Sequence, residues 1–355
     1  MATKTRDSNI ELLRILTICG VVVLHYNGNV AFAHVAAGSV NQYVLLVLEA
    51  LFICAVNLFI LISGYFLSGT TQRKSVKVLE LLVQVVLIGV GKYFVNCLIE
   101  GKALSIVSLI GWAIPNNYFV TLYLTLYLTL YVASPYINLA LNKLSQKRFT
   151  VLLGLVVLLF SIWPTVLDVF WEATGMHFNG MYPMSSGGSQ YGYSLLNFVM
   201  MYLIGAYFRR FNVGKQCKGI VLLLGMVACV GVLVIWQLRF AQSARSYANP
   251  LVIAVGSMVF LLFRRLSIRS QLINTIAKGA FTCFLVHDAF LLHIGIEKVV
   301  NQSLLVLLGH MIASVVLIYG ISWIVWRIYT YITGPVFRWM GTKLGWADRL
   351  LSPEE

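Results

Sequence analysis

Arg14 and His25 are the first residues on which chemistry can be built. They stand in IELLRILTICGVVVLHYNGNVAF, residues 10–32, a run that is otherwise almost wholly apolar. A spacing of eleven residues is about 1100° of helical rotation, within roughly 20° of three full turns, so in an unbroken helix both side chains leave one face. Along the axis they lie roughly 16 Å apart. An ionisable group inside a membrane span costs roughly 3 kcal/mol on insertion scales and normally faces a bundle interior or a watery cavity. A neutral imidazole at that depth can take a proton from an attacking hydroxyl, or accept a group covalently and pass it on.

Further stretches carry side chains of the right type. Glu49 falls in the second apolar run, roughly 9 Å below the outer surface if the span starts near Tyr43. That is level with His25, so its carboxylate either orients the imidazole or snorkels to the headgroups. Arg73, Lys74 and Lys77 follow NLFILISGYFLSGTTQ and precede the third run. Three cations at a helix start suit phosphate groups, and equally suit anionic lipid headgroups. YFVTLYLTLYLTLY sets Thr121, Thr125 and Thr129 on one stripe and Tyr123, Tyr127 and Tyr131 on another. Four-residue steps drift only about 40°, so each stripe is either interhelical glue or a polar wall, with Tyr127 a candidate substrate contact. His287, in INTIAKGAFTCFLVHDAFLLH, also reaches mid-bilayer depth and is a second candidate on the acceptor side. Asp288 points about 100° away from it, so the two form no dyad. His293 and His310 read as interfacial. The loop 171–193, rich in aromatic, amide and hydroxyl groups, suits either a sugar or an interfacial belt.

The elements that position these groups follow from composition. Hydrophobic residues make up 59% and charged residues 11% of the 355, against about a quarter charged in soluble proteins; mean hydropathy is +0.85. Continuous apolar runs exclude a β-barrel. The net charge of +14 is scattered in small clusters between runs, which points to membrane topology and away from nucleic acid. The six cysteines include no CxxC pair, so neither a disulfide framework nor a metal site is indicated.

The chain therefore reads as an all-α, polytopic integral membrane protein of about ten transmembrane helices. The expected spans are 10–32, 43–68, 78–99, 118–136, 149–170, 194–209, 219–240, 250–264, 273–293 and 303–327. The first span, which Lys4, Arg6 and Ala31-Phe32-Ala33 dress like a signal peptide, is expected to stay uncleaved because Glu11 and Arg14 interrupt it. With the N-terminus inside, twenty of the 26 Lys and Arg residues fall on the cytoplasmic side, including Lys215, so both termini are expected in the cytoplasm. Residues 1–335 form the membrane domain and 336–355 a cytoplasmic tail. Arg14 then lies near the cytoplasm and His25 towards the outer half.

SNIELLRILTICGVVVLHYN resembles the opening of the membrane-bound acyltransferase-3 family, marked by an Arg, ten intervening residues and a His. The likeness continues in FILISGYFL, YFVTLYLTLYLTLYVASPYIN, NFVMMYLIGAYFRR and AFTCFLVHD, in the family's order. The chain most resembles bacterial members that acylate cell-surface polysaccharides. The resemblance implies a multi-pass enzyme of the bacterial cytoplasmic membrane. It moves an acyl group, commonly acetyl, from cytoplasmic acyl-CoA to a hydroxyl of an extracellular or lipid-linked glycan. Arg14 and His25 match the family's essential pair. Its basic pair after the second span is represented loosely by Arg73, Lys74 and Lys77; Lys74-x-x-Lys77 keeps the charge without the bidentate fork of Arg. Many relatives carry an added soluble transferase domain, which the sequence given does not show.

On this reading Arg14, Arg73, Lys74 and Lys77 hold the phosphate end of CoA, and the pantetheine arm, roughly 15–20 Å long, runs up to His25. Catalysis rests on His25 with Arg14 and Glu49; Tyr127 and His287 meet the acceptor. Partners are acyl-CoA, the glycan and membrane lipids, without metal or nucleic acid, and with self-association left open. The competing reading is a proton-coupled transporter or flippase of a glycan precursor, whose midplane His and Glu relay protons. Broken spans in matching halves would mark it, yet Pro115, Pro135, Pro164, Pro183, Pro250 and Pro335 fall mainly at span ends or in loops.

Overall fold

The computed structural model describes residues 7–113, 118–185, 188–214, 217–291 and 293–353. Lys4, Arg6, Pro115 and Lys215 lie outside the described residues, and the Thr121 side chain is likewise not described. Among the described residues every regular element is a helix. In chain order the rods are α1 (Ser8–Tyr26), α2 (Val40–Leu67), α3 (Ser75–Glu100), α4 (Leu122–Asn142), α5 (Gln146–Thr174), α6 (Leu195–Arg210), α7 (Gly219–Gln237), α8 (Pro250–Arg264), α9 (271–291), α10 (Leu304–Lys343) and a short α11 (Gly345–Leu350). Among the described residues all but α6, α8, α9 and α11 are long and apolar enough to cross a membrane, which makes seven. Of the other four, α6, α8 and α9 stand where the spans 194–209, 250–264 and 273–293 are expected, as shorter or interrupted helices.

Helix starts are written in side chains. Ser145, Ser194, Asn249 and Ser303 each accept a hydrogen bond from a backbone N–H of the first turn of α5, α6, α8 and α10, satisfying donors that the helix itself leaves unpaired. Pro250 follows its cap at the first helical position, where no N–H is needed. Regularity breaks at three informative places. The first is a π-helical turn at Asn27–Ala31, directly after α1. The second is a pause at Ile53 and Cys54 within α2. The third is a 3-10 turn at Ala277–Gly279 within α9. Between Arg14 and His25 the helix is unbroken. The last rod runs 40 residues to Lys343, about 60 Å by rise, and so continues past the expected span end at 327.

Successive rods alternate in direction, and hydrogen bonds tie the two ends. At the basic end, Ser8 Oγ donates to the Ser270 carbonyl (3.3 Å), Asn9 to Phe263 (2.9 Å) and Arg209 to Tyr65 (3.1 Å). At the other end, Asn41 donates to the carbonyls of Val300 and Gln302, and Ser161 to Ala248. α1 and α2 are the central rods, with 61% and 72% of their apolar windows buried, against 11% for α7. α1 packs against α2, α8, α9 and α10. The outer faces of α5, α7 and α10 expose Leu155, Leu158, Leu224, Val227, Ile312 and Val316, as a lipid-facing surface requires.

α2 and α6 touch backbone to backbone. A Cβ on Gly64 would come within 2.4 Å of the Tyr202 carbonyl oxygen, and one on Gly205 within 2.2 Å of the Leu61 carbonyl oxygen. Small residues are what allow such an approach where lipid gives helices no hydrophobic drive to associate. Gly205→Val should therefore force the pair apart, costing roughly 1–3 kcal/mol as overpacked cores do. The check is thermal unfolding of the detergent-solubilised protein, and an unchanged Tm would show that the contact is dispensable.

Candidate functional site

The regular α1 keeps Arg14 and His25 on one face, and α9 lays His287 against that face. His25 Nδ1 and His287 Nε2 are 3.1 Å apart, and the rings stack with centroids 4.6 Å apart at 29°. His287 Nδ1 faces two backbone carbonyls, Cys283 at 3.2 Å and Phe284 at 2.9 Å. Carbonyl oxygens only accept, so Nδ1 of His287 carries the hydrogen and donates. The Nε2 of a neutral ring must then accept, which makes His25 Nδ1 the donor across the 3.1 Å contact. His25 Nε2 is left with its lone pair, and no protein group among the described residues occupies it. His287 is 1% exposed while His25 is half-buried, so the outer member of the pair is the one open to a substrate. The order of protons is set by the backbone of α9.

Glu49 is elsewhere. Its carboxylate accepts from Asn27 Nδ2 at 3.1 Å, and the charge that faces it belongs to Arg245. Arg245 donates from Nε to Gln237 Oε1 at 3.0 Å and covers the Phe32 ring at 4.4 Å. The expected carboxylate–imidazole contact is thus replaced by an imidazole–imidazole one. The reason is rotational: Asn27 follows His25 by two residues, about 200° around the helix, so Glu49 meets the opposite side of the chain. The carboxylate whose field reaches both imidazoles is Asp288, and it pairs with Lys92 at 2.7 Å.

Arg14 is half-buried, pairs with Glu11 at 2.9 Å and lies 5.7 Å from the centroid of the Phe66 ring. Above it, Tyr123 stacks on Tyr127 (6.1 Å, 11°) and packs against Phe284 (4.9 Å), whose ring is 6.0 Å from His287. Within the tyrosine stripe Tyr123 thus approaches the histidine pair through the Phe284 ring, with Tyr127 stacked behind it.

The cations after α2 behave differently from one another. Arg73 is 2% exposed. Its guanidinium donates to Ser134 Oγ (2.8 Å) and to the carbonyls of Thr70, Gln72 and Leu67, under the Tyr131 ring. It closes the end of α2 and does not face the mouth of the bundle. Lys74 and Lys77 are exposed and pair with Asp348 (2.8 Å) and Glu80 (2.9 Å). Asp348 also accepts from the N–H and hydroxyl of Ser75 at the start of α3. Burial pushes its carboxyl up, but these hydrogen bonds outweigh that and hold it below the usual range. In the loop 171–193 Trp171 pairs with His177, but the other rings reach outward: Phe178 to Phe170 of α5, Tyr193 to Phe198 and Tyr247, and Tyr182 donates to Asp168 of α5 at 2.9 Å.

Residues 7–327 match the acyltransferase-3 family model, described as an acyltransferase domain. Among curated proteins and among solved structures nothing matches.

If the proton order described above governs His25, His287→Phe should lower turnover by roughly 10²-fold or more with little change in donor KM. His287→Gln, whose carbonyl oxygen can still accept from His25 Nδ1, should retain more activity than Phe. Equal activity of the two variants would reduce His287 to a packing residue.

Proposed function

The chain belongs to the acyltransferase-3 family, and from that premise we propose that it moves an acyl group from cytoplasmic acyl-CoA to a glycan hydroxyl on the outer side of a bacterial cytoplasmic membrane. The observation that carries this reading is the unoccupied Nε2 of His25, fixed as an acceptor by His287 and placed on the same stripe as Arg14.

The acceptor hydroxyl gives its proton to His25 Nε2 as its oxygen attacks the thioester carbon. The imidazolium that forms still donates from Nδ1 to His287 Nε2, now as a charge-assisted and therefore stronger hydrogen bond. Asp288 supplies a nearby negative field while held by Lys92. As the tetrahedral centre collapses, the carbon–sulfur bond breaks, and the thiolate of CoA takes the proton back from Nε2. Donor chemistry therefore needs no ionisable group beyond the pair, and every proton removed is returned. Arg14, roughly 16 Å below His25, matches the reach of a pantetheine arm of roughly 15–20 Å. An acetyl donor and a polysaccharide acceptor are the members of each class that the sequence resemblance favours. Glu49 and Tyr127 serve as structural support in this scheme, Glu49 through Asn27 and Tyr127 through Tyr123.

The test is transfer of labelled acetyl from acetyl-CoA to membranes bearing the native glycan. His25→Ala should lose at least about 10²-fold in turnover while the protein inserts and unfolds as the wild type does. Substantial residual transfer would remove His25 from the chemistry. Proton-coupled glycan uptake that survives without acyl transfer would favour a transporter.

A further inference from the structure

Besides the histidine pair, the basic end of the bundle holds a cavity of about 510 Å³ walled by the ends of α2, α4 and α6 and the start of α5. Pockets of about 300–1,000 Å³ are of the size that takes a nucleotide-scale ligand. Its polar lining comes from Ser68, Thr70, Thr71, Asn138 and Asn142, and its charge from Arg209 and Arg210; among the described residues no Asp or Glu lines it. Both arginines are exposed, and neither is in an ion pair among the described residues. That sets them apart from Arg14, Lys74 and Lys77, each held by a carboxylate, and from the buried Arg73.

The guanidiniums are fixed in place but not exhausted. Arg209 uses Nη1 on the carbonyls of Tyr65 and Phe66, leaving Nε and Nη2 over Gly69. Arg210 uses Nη1 and Nη2 on carbonyls of Leu141, Asn142 and Leu144, leaving Nε. Helix C-termini carry about −0.5 elementary charge each, so the three that end here offset most but not all of two full positive charges. Arg73 adds a third from behind the same turn, on Leu67 and Thr70. Gly69 leaves room for this: a Cβ there would meet Arg209 Nη2 where it now stands.

We infer that this cavity, formed around Arg209 and Arg210, binds the phosphate-bearing nucleotide end of the acyl donor. The inference rests on the acyl-CoA reading above and places the donor's head away from the 73–77 cluster. The α2 turn that Arg209 holds by the Phe66 carbonyl is the one whose Phe66 ring Arg14 covers. A helix is about 10 Å across, the span of a ribose and pyrophosphate. A nucleotide in the cavity thus brings its pyrophosphate round to Arg14, and the arm then rises along α1 to His25. An anionic lipid headgroup shares the phosphate chemistry and is the other source of such a ligand.

The experiment measures CoA and 3′-dephospho-CoA binding to the full chain in nanodiscs of neutral lipid. Wild type is compared with Arg209→Gln and with Thr71→Glu, which adds a carboxylate to the cavity and leaves the arginine caps in place. In the wild type, loss of the 3′-phosphate should weaken binding by roughly tenfold or more. In either variant CoA should bind about that much more weakly than to wild type, and removing the phosphate should matter little. If CoA binds and the phosphate contributes equally in all three proteins, the cavity is not the site. If adding anionic lipid fills the cavity while CoA affinity ignores both variants, the site belongs to a headgroup and the inference falls. Failure of the wild type to bind CoA or transfer acetyl at all would instead overturn the donor reading itself.

Discussion

Most of this structure's chemical meaning depends on one hydrogen bond, between His25 on α1 and His287 on α9. Two neutral imidazoles can share a hydrogen in either sense, and in water neither sense is preferred. Here the Cys283 and Phe284 carbonyls break the symmetry. They belong to the turn that precedes His287 on its own helix, so the preference is set by local helical geometry and reaches His25 Nε2 through rigid rings. A carboxylate partner would achieve the same order but would place a full negative charge in the bilayer core, where it costs more to bury than a neutral ring. The negative charge that is present, on Asp288, is partly offset by Lys92 at 2.7 Å.

Holding α1 against α9 to within a hydrogen-bond length is a packing problem, solved one layer away. α1 lies among α2, α8, α9 and α10, and α2 is pinned in turn to α6 by Gly64 and Gly205. At the basic end Arg73, Arg209 and Arg210, together with Asn138, donate to the C-terminal carbonyls of α2 and α4 and the turns that follow them. Basic residues that read as topology signals are in this way also caps of helix ends.

Much of this was legible in the sequence. The all-helical spans, the single face shared by Arg14 and His25, and the family all follow from period, hydropathy and motif order. The kink that would have undone the stripe does not occur, because the π-turn begins at Asn27, two residues beyond His25. The partner of His25 was not legible: depth alone pairs it with Glu49, and depth says nothing of rotation about the helix axis. The clue was the position of His287 itself, a second histidine at similar depth in an apolar run. Arg73 looked like its neighbours Lys74 and Lys77 because a one-dimensional reading cannot tell a cation that faces solvent from one folded under the helix it follows. Arg209 and Arg210 passed as topology signals for the same reason.

The division of labour among cations has a physical logic. Arginine keeps its charge when desolvated and spreads five donors in a plane, so it can cap several carbonyls while still presenting a positive edge. Arg73 does the first with its edge sealed by Tyr131 and Ser134; Arg209 does both, because Gly69 leaves its edge uncovered. Lysine is a hydrated point charge, and Lys74 and Lys77 accordingly stay at the surface, in pairs that contribute little to stability. From the basic end to the middle of the bundle the groups run from charged to neutral. Exposed, partly used guanidiniums lie at the mouth, Arg14 sits compensated by Glu11 one turn inside, and a neutral pair of imidazoles lies where charge would be most costly.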